Sequence, residues 1–175
     1  MKHQRPRRGS PSGWRGLSSR QWALIGSVAV SFALVAIALM RWDETRADAP
    51  LPAGTVLVHK TWDCECCARW VKHLEANGIP VEVREDEPLT LVKKRLRVPQ
   101  ALSSCHTAEV DGYVVEGHVP AADIQRLLRE RPAIAGIGVA GMPNGSPGME
   151  GYGPDEHYQT MQFDAAGKIS VYSEH

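Results

Sequence analysis

The chain has 175 residues, with 20 lysines and arginines balanced by 20 aspartates and glutamates, and it holds four cysteines. That length suits about one folded domain. The balance hides two halves: residues 1–21 carry Lys2, Arg5, Arg7, Arg8, Arg15 and Arg20 and no acid, whereas residues 50–175 hold 12 basic against 17 acidic side chains, a net charge of −5. An acidic domain argues against nucleic acid as a partner, because that binding needs positive charge to meet phosphate, and it favours cations.

In chain order, residues 1–21 read as a basic cytoplasmic segment. WALIGSVAVSFALVAIALM, residues 22–40, runs 19 residues without a charge, close to the roughly 20 needed to cross a bilayer core. The span 22–41 is expected to be an uncleaved transmembrane anchor or the apolar part of a cleaved signal, since Ala47-Asp48-Ala49 offers a small-x-small cleavage pattern. Either way the rest of the chain is expected outside the cytoplasm. Residues 42–54, charged and then rich in Pro and Ala, read as a linker to a domain over 55–175.

TVLVHKT, residues 55–61, is β-branched and predicts a buried strand. CARWVKHLEANG follows, with Cys67, Trp70, Val71 and Leu74 on one helical face and Asn77-Gly78 as its C-cap. IPVEVRED, residues 79–86, alternates as a strand with Ile79, Val81 and Val83 on one side. PLTLVKKRLRVPQAL predicts a helix ending near Pro99. TAEV and YVVEGHV flank Asp111-Gly112, a hairpin turn dipeptide. PAADIQRLLRERP predicts a third helix that buries Ile124, Leu127 and Leu128. Residues 136–154 contain seven glycines and three prolines and read as a long loop, and HYQTMQFDAAGKISVYSEH reads as a second hairpin. The order β-α-β-α-β-β-α predicts a thioredoxin-like α/β fold, its first two strands parallel through a right-handed crossover.

TWDCECCARW, residues 61–70, places Cys64, Cys66 and Cys67 where that first strand meets the first helix. A helix N-terminus stabilises thiolate. In the thioredoxin-like arrangement the loop before the third strand faces this turn, and here it reads Ser104-Cys105-His106-Thr107. Three readings stay open: structural disulfides, for which four cysteines allow three connectivities; a soft-metal site; and thiol–disulfide exchange. Read as C-x-C-C, the run lacks both the C-x-x-C redox signature and the paired spacing of structural zinc. Adjacent cysteines suit bridging between ions, which makes Cu(I) the first choice and zinc the second.

The C-x-C-C run, VPQALSSCHTAEVDGYVVEGHVPAADIQRLL and GMPNGSPGME together resemble the CopG-like metal-binding proteins, a family long catalogued as a domain of unknown function. The resemblance spans about residues 55–155. It implies a thioredoxin-like fold in the periplasm, which the N-terminal span would anchor to the inner membrane or, if cleaved, leave soluble there. It also implies copper resistance and a multinuclear Cu(I) site on Cys64, Cys66, Cys67 and Cys105, with His106 and His118 as further ligands. Copper ions and another copper-handling protein are the implied partners. Where the family commonly has glycine between the first two cysteines this chain has Glu65, and where it has a small or hydroxyl residue before them this chain has Asp63. Two carboxylates beside three thiols are expected to raise the thiol pKa values.

Met142 and Met149 lie in the Gly/Pro-rich loop; a thioether is a good Cu(I) ligand, and methionine is also an ordinary gap-filler. His59 reads as structural, and His157 and His175 as solvated. Trp62 is expected to shield the sulfurs from water. No nucleophile–base pattern and no phosphate-cradling loop is present, since the glycine-rich segment follows a helix.

Overall fold

The computed structural model describes residues 31–38 and 51–175. The chain divides into two units, Met1–Pro50 and Leu51–His175. In the first, residues 31–38 are helical and expose Phe32, Leu34, Val35 and Ile37. The basic segment, the rest of the expected 22–41 span and the linker as far as residue 50 lie outside the described residues. Among those described, no helix is long and apolar enough to cross a membrane.

The second unit is a mixed α/β domain on one seven-stranded sheet of order β2-β1-β3-β4-β5-β6-β7. Its elements are β1 (Val56–His59), α1 (Glu65–Ala76), β2 (Val81–Arg84), α2 (Leu89–Arg95), a 3₁₀ turn (Gln100–Leu102), β3 (Thr107–Val110), β4 (Tyr113–Glu116), α3 (Ala121–Glu130), β5 (Gly136–Gly138), β6 (Gln159–Phe163) and β7 (Ile169–Glu174). The order expected up to α3 is the order found. β1 and β2 are parallel, and β3–β4 is an antiparallel hairpin turned by Asp111-Gly112. β6–β7 is the second hairpin.

Four features differ from expectation. The folded unit begins within the predicted linker, because Gly54 N–H donates to Asp111 Oδ1 at 2.8 Å and ties the chain to the hairpin turn. α2 stops four residues before Pro99, at Arg95, and Arg97 adopts a positive φ of 54°. β2 is an edge strand, so Val83 stays 40% exposed where alternation predicted burial. The glycine-rich segment is not all loop: its first three residues form β5, between β4 and β6.

The alternation of β4 distributes the core. Tyr113 and Val115 face α1 and α3 in a core with Trp70, Leu74, Ile124 and Leu127, while Val114 faces the opposite side with Leu102 and Phe163. β4 is buried on both faces, as a central strand requires. A fully buried leucine such as Leu74 contributes about 2–5 kcal/mol relative to alanine, so this core fixes the sheet end on which the site stands.

Candidate metal centre

Strand pairing brings the sulfurs together. β1 is antiparallel to β3 with His59 opposite Thr107, so the residues after β1 and before β3 meet at one end of the sheet. Cys64 caps the N-terminus of α1, and Cys66 and Cys67 lie in its first turn. Across from them Cys105 precedes β3. Gly117 N–H donates to His106 O at 3.2 Å, which extends the β3–β4 ladder and sets His118 beside Cys105.

The four sulfurs lie within 4.8 Å of one another. Cys66 Sγ is 3.5 Å from Cys64 Sγ and 3.7 Å from Cys105 Sγ, and Cys67 Sγ is 3.4 Å from Cys105 Sγ. A second group of donor atoms, Cys105, His106 and His118, also falls within 4.8 Å. Cys105 belongs to both. Its Sγ is 3.3 Å from His106 Nδ1 and 3.1 Å from His118 Nε2.

Cys64 and Cys67 form a disulfide, and Cys66 and Cys105 are free thiols. This corrects two expectations. Cys64-Glu65-Cys66-Cys67 contains a C-x-x-C spacing after all, because Cys64 and Cys67 are three apart with Cys66 as one of the intervening residues. Nor do two disulfides staple the domain. All four sulfurs could serve as thiolates only after two-electron reduction of the Cys64–Cys67 bond.

The imidazoles are set up as neutral donors. His118 Nδ1 lies 2.8 Å from the carbonyl oxygen of Pro147, which can only accept, so Nδ1 carries the proton and Nε2 offers its lone pair towards Cys105. His106 is fully buried between the Trp70 ring at 4.3 Å and the edge of His118 at 5.0 Å. Its Nε2 finds no hydrogen-bond partner among the described residues. Burial holds both imidazoles below the ordinary histidine pKa, and for His106 the neighbouring His118 and Lys93 add to it. Burial, with Cys66 alongside, pushes the Cys105 thiol up to about 12. Asp63 and Glu65, both exposed, are not among the causes of that rise at Cys105.

Trp62 is 82% exposed and shields nothing; Trp70, buried with its Nε1 donating to Val119 O at 2.8 Å, forms the apolar wall instead. Part of the glycine-rich segment closes over α1. Gly148, at φ +86°, sits so near that an added Cβ would be 2.6 Å from Cys66 O and 2.9 Å from Trp70 N. The Arg69 guanidinium stacks 4.3 Å over Tyr152, and Ser104 Oγ donates to Gly141 O at 2.5 Å. Met149 is buried in this cover and Met142 is half exposed beside Gly141. His59 is buried against Glu109 at 3.1 Å, as a structural residue should be, and His157 is exposed. His175 is exposed, as expected, and its ring also bonds Asp123 Oδ2 at 2.9 Å and stacks on Tyr158.

One feature escaped the sequence. Glu116 closes β4 fully buried, and it meets Lys93, Thr107 and the Ser104 N–H behind Cys105. An acid ending the otherwise apolar run YVVE was its signal.

Fold and centre together define a mixed α/β protein with a cysteine–histidine group that could hold a soft metal ion. The family described as "Protein of unknown function, DUF411" matches residues 102–149. Two solved structures of a copper resistance protein CopG, Form 2 and Form 1, are each 46% identical to this chain with a TM-score of 0.66. Each covers 71% of this chain, and the chain covers 99% and 98% of theirs. No curated protein matches. The chain belongs to the CopG-like DUF411 family.

Proposed function

We propose that the protein is an exported copper-binding protein of thioredoxin-like fold that holds Cu(I), more than one ion per chain, for copper resistance or trafficking. Cys64, Cys66, Cys67 and Cys105 are its sulfur ligands, with His106 and His118 as nitrogen ligands. The observation that carries this reading is a four-sulfur cluster sharing Cys105 with two neutral imidazoles. Thiolates and imidazoles suit Cu(I), and the adjacent pair Cys66-Cys67 suits bridging between ions. The fit extends to the His106 ring, whose buried Nε2 has no hydrogen-bond partner among the described residues and whose Nδ1 lies 3.3 Å from Cys105 Sγ. Met142 and Met149 are candidate thioether ligands at the rim. The basic N-terminus and the apolar span 22–41 support a periplasmic domain held at the inner membrane, where another copper-handling protein would exchange copper with it.

The test is a Cu(I) titration of the full chain, reduced and anaerobic, against a competing chelator with elemental analysis. More than one tightly bound Cu(I), lost in Cys→Ser variants, is expected. No tight binding, or a preference for Zn²⁺, overturns the reading.

One observation favours a second reading, a thiol–disulfide or copper-redox oxidoreductase. The Cys64–Cys67 bond spans a C-x-x-C, and Cys105 Sγ lies 3.4 Å from Cys67 Sγ. The Cys105 thiolate attacking Cys67 would form a Cys67–Cys105 disulfide and release Cys64 as thiolate, with no net electron change. A dithiol potential within the range of about −270 to −120 mV spanned by thiol oxidoreductases supports this reading, and one well below it removes it.

A further inference from the structure

We infer that Glu116 is a positioning residue of the metal centre, its buried carboxylate fixing the backbone that presents Cys105. The inference rests on reading Cys105 as a ligand. Cys105 stands in the stretch between the 3₁₀ turn and β3, before the β3 ladder begins at Thr107. That stretch has no strand of its own to hold it. Glu116 supplies the missing rung from the neighbouring strand: its Oε1 accepts the Ser104 N–H at 2.6 Å, and its Oε2 accepts the Thr107 hydroxyl at 2.7 Å. The two residues it holds bracket Cys105 and His106.

The carboxylate is itself fixed. It is fully buried at the end of β4, and the Lys93 ammonium from α2 donates to its Oε1 while also reaching Thr107 Oγ1 at 2.8 Å. A carboxylate held by three donors, two of them from groups with little freedom, has one orientation. The loop therefore cannot swing without breaking charge-assisted bonds in a dry site. This sets the Cys105 sulfur 3.4 Å from Cys67 and 3.7 Å from Cys66, a spacing a free loop would not keep.

The test compares the full-length parent with Glu116→Gln, which keeps an acceptor oxygen for Ser104 N–H, and Glu116→Leu, which removes it. In the reduced, metal-free chains, mass spectrometry follows alkylation of Cys105 relative to Cys66. Releasing the loop raises that ratio by about fivefold or more in Glu116→Leu and leaves it within about twofold of the parent in Glu116→Gln. Loaded with Cu(I), Glu116→Leu binds the copper number of Cys105→Ser, and Glu116→Gln that of the parent. A folded Glu116→Leu with the parental alkylation ratio and copper number overturns the inference, because a merely structural residue lowers the melting temperature alone. Should Glu116→Leu not fold, amide exchange of Ser104 in the parent decides: protection like that of the β3–β4 amides supports the inference, and exchange at free-loop rates overturns it. A parent that binds no copper defeats the copper reading, while alkylation and exchange still judge Glu116.

Discussion

Cys105 is the side chain shared by the sulfur cluster and the imidazole pair, so its chemistry governs the centre. It is held protonated up to about pH 12, and a metal can take it as ligand only by displacing that proton. The sign follows: Cu(I) affinity rises with pH, by about tenfold per pH unit for each proton displaced. Competition titrations between pH 6 and 8 should give that slope, and a flat profile would remove Cys105 from the ligand set. Cys105→Ser, which breaks both donor groups, should weaken Cu(I) binding at least as much as the loss of any other single cysteine. Glu65, the departure from the family pattern, is exposed and outside the causes of the Cys105 shift. Glu65→Gln should leave the alkylation profile of Cys105 against pH unchanged.

Among the elements, the segment from Gly141 to Tyr152 joins the sheet end to the cysteine-bearing turn. Gly148 is its contact point. Alanine there meets a positive φ and the backbone of Cys66 and Trp70 together. Gly148→Ala should cost about 1–3 kcal/mol, read as a lower melting temperature, and should weaken copper binding by moving Pro147 away from His118. Parental stability and affinity would mean that the segment merely drapes over the helix. The helices, both hairpins and every strand but β5 were legible in the sequence because each obeys a local rule, period 3.6 or 2 or a turn between two alternating runs. So was the meeting of Cys64, Cys66, Cys67 and Cys105, through the expected placement of the loop before the third strand opposite the first helix turn, which the β1–β3 pairing provides. Less legible were features set by tertiary contact. Val83 alternates correctly yet lies on an edge; the tail His175 is held by Asp123; and Glu116 is kept in the interior by Lys93, 23 residues away. The Cys64–Cys67 spacing was visible but hidden by reading the motif as a run rather than as pairs.

For the molecule as a whole, burying neutral histidines carries an acid penalty. His106 titrates well below the ordinary 6.5 in the folded metal-free chain, because burial opposes its charge. The unfolded chain therefore takes up its proton near pH 6.5 while the native state does not. Stability is complete above that pH and falls below it, by at most about 1.4 kcal/mol per pH unit for His106, until the native imidazole itself protonates. Melting temperatures of metal-free protein from pH 7.5 to 5 should fall accordingly, and His106→Leu should flatten the descent; an equal descent in both would assign it to other groups, among them the buried His118 and His73. The antiparallel pairing of β1 with β3 has one more consequence, for the order of events in the life of the chain. The first ninety residues carry three of the cysteines, but not the fourth nor either site histidine. The centre comes into being late, when a contact distant in sequence closes, and that closure is among the slower steps of folding. The complete four-sulfur cluster is thus a property of the finished fold, since Cys105 joins the other three only where β3 pairs with β1.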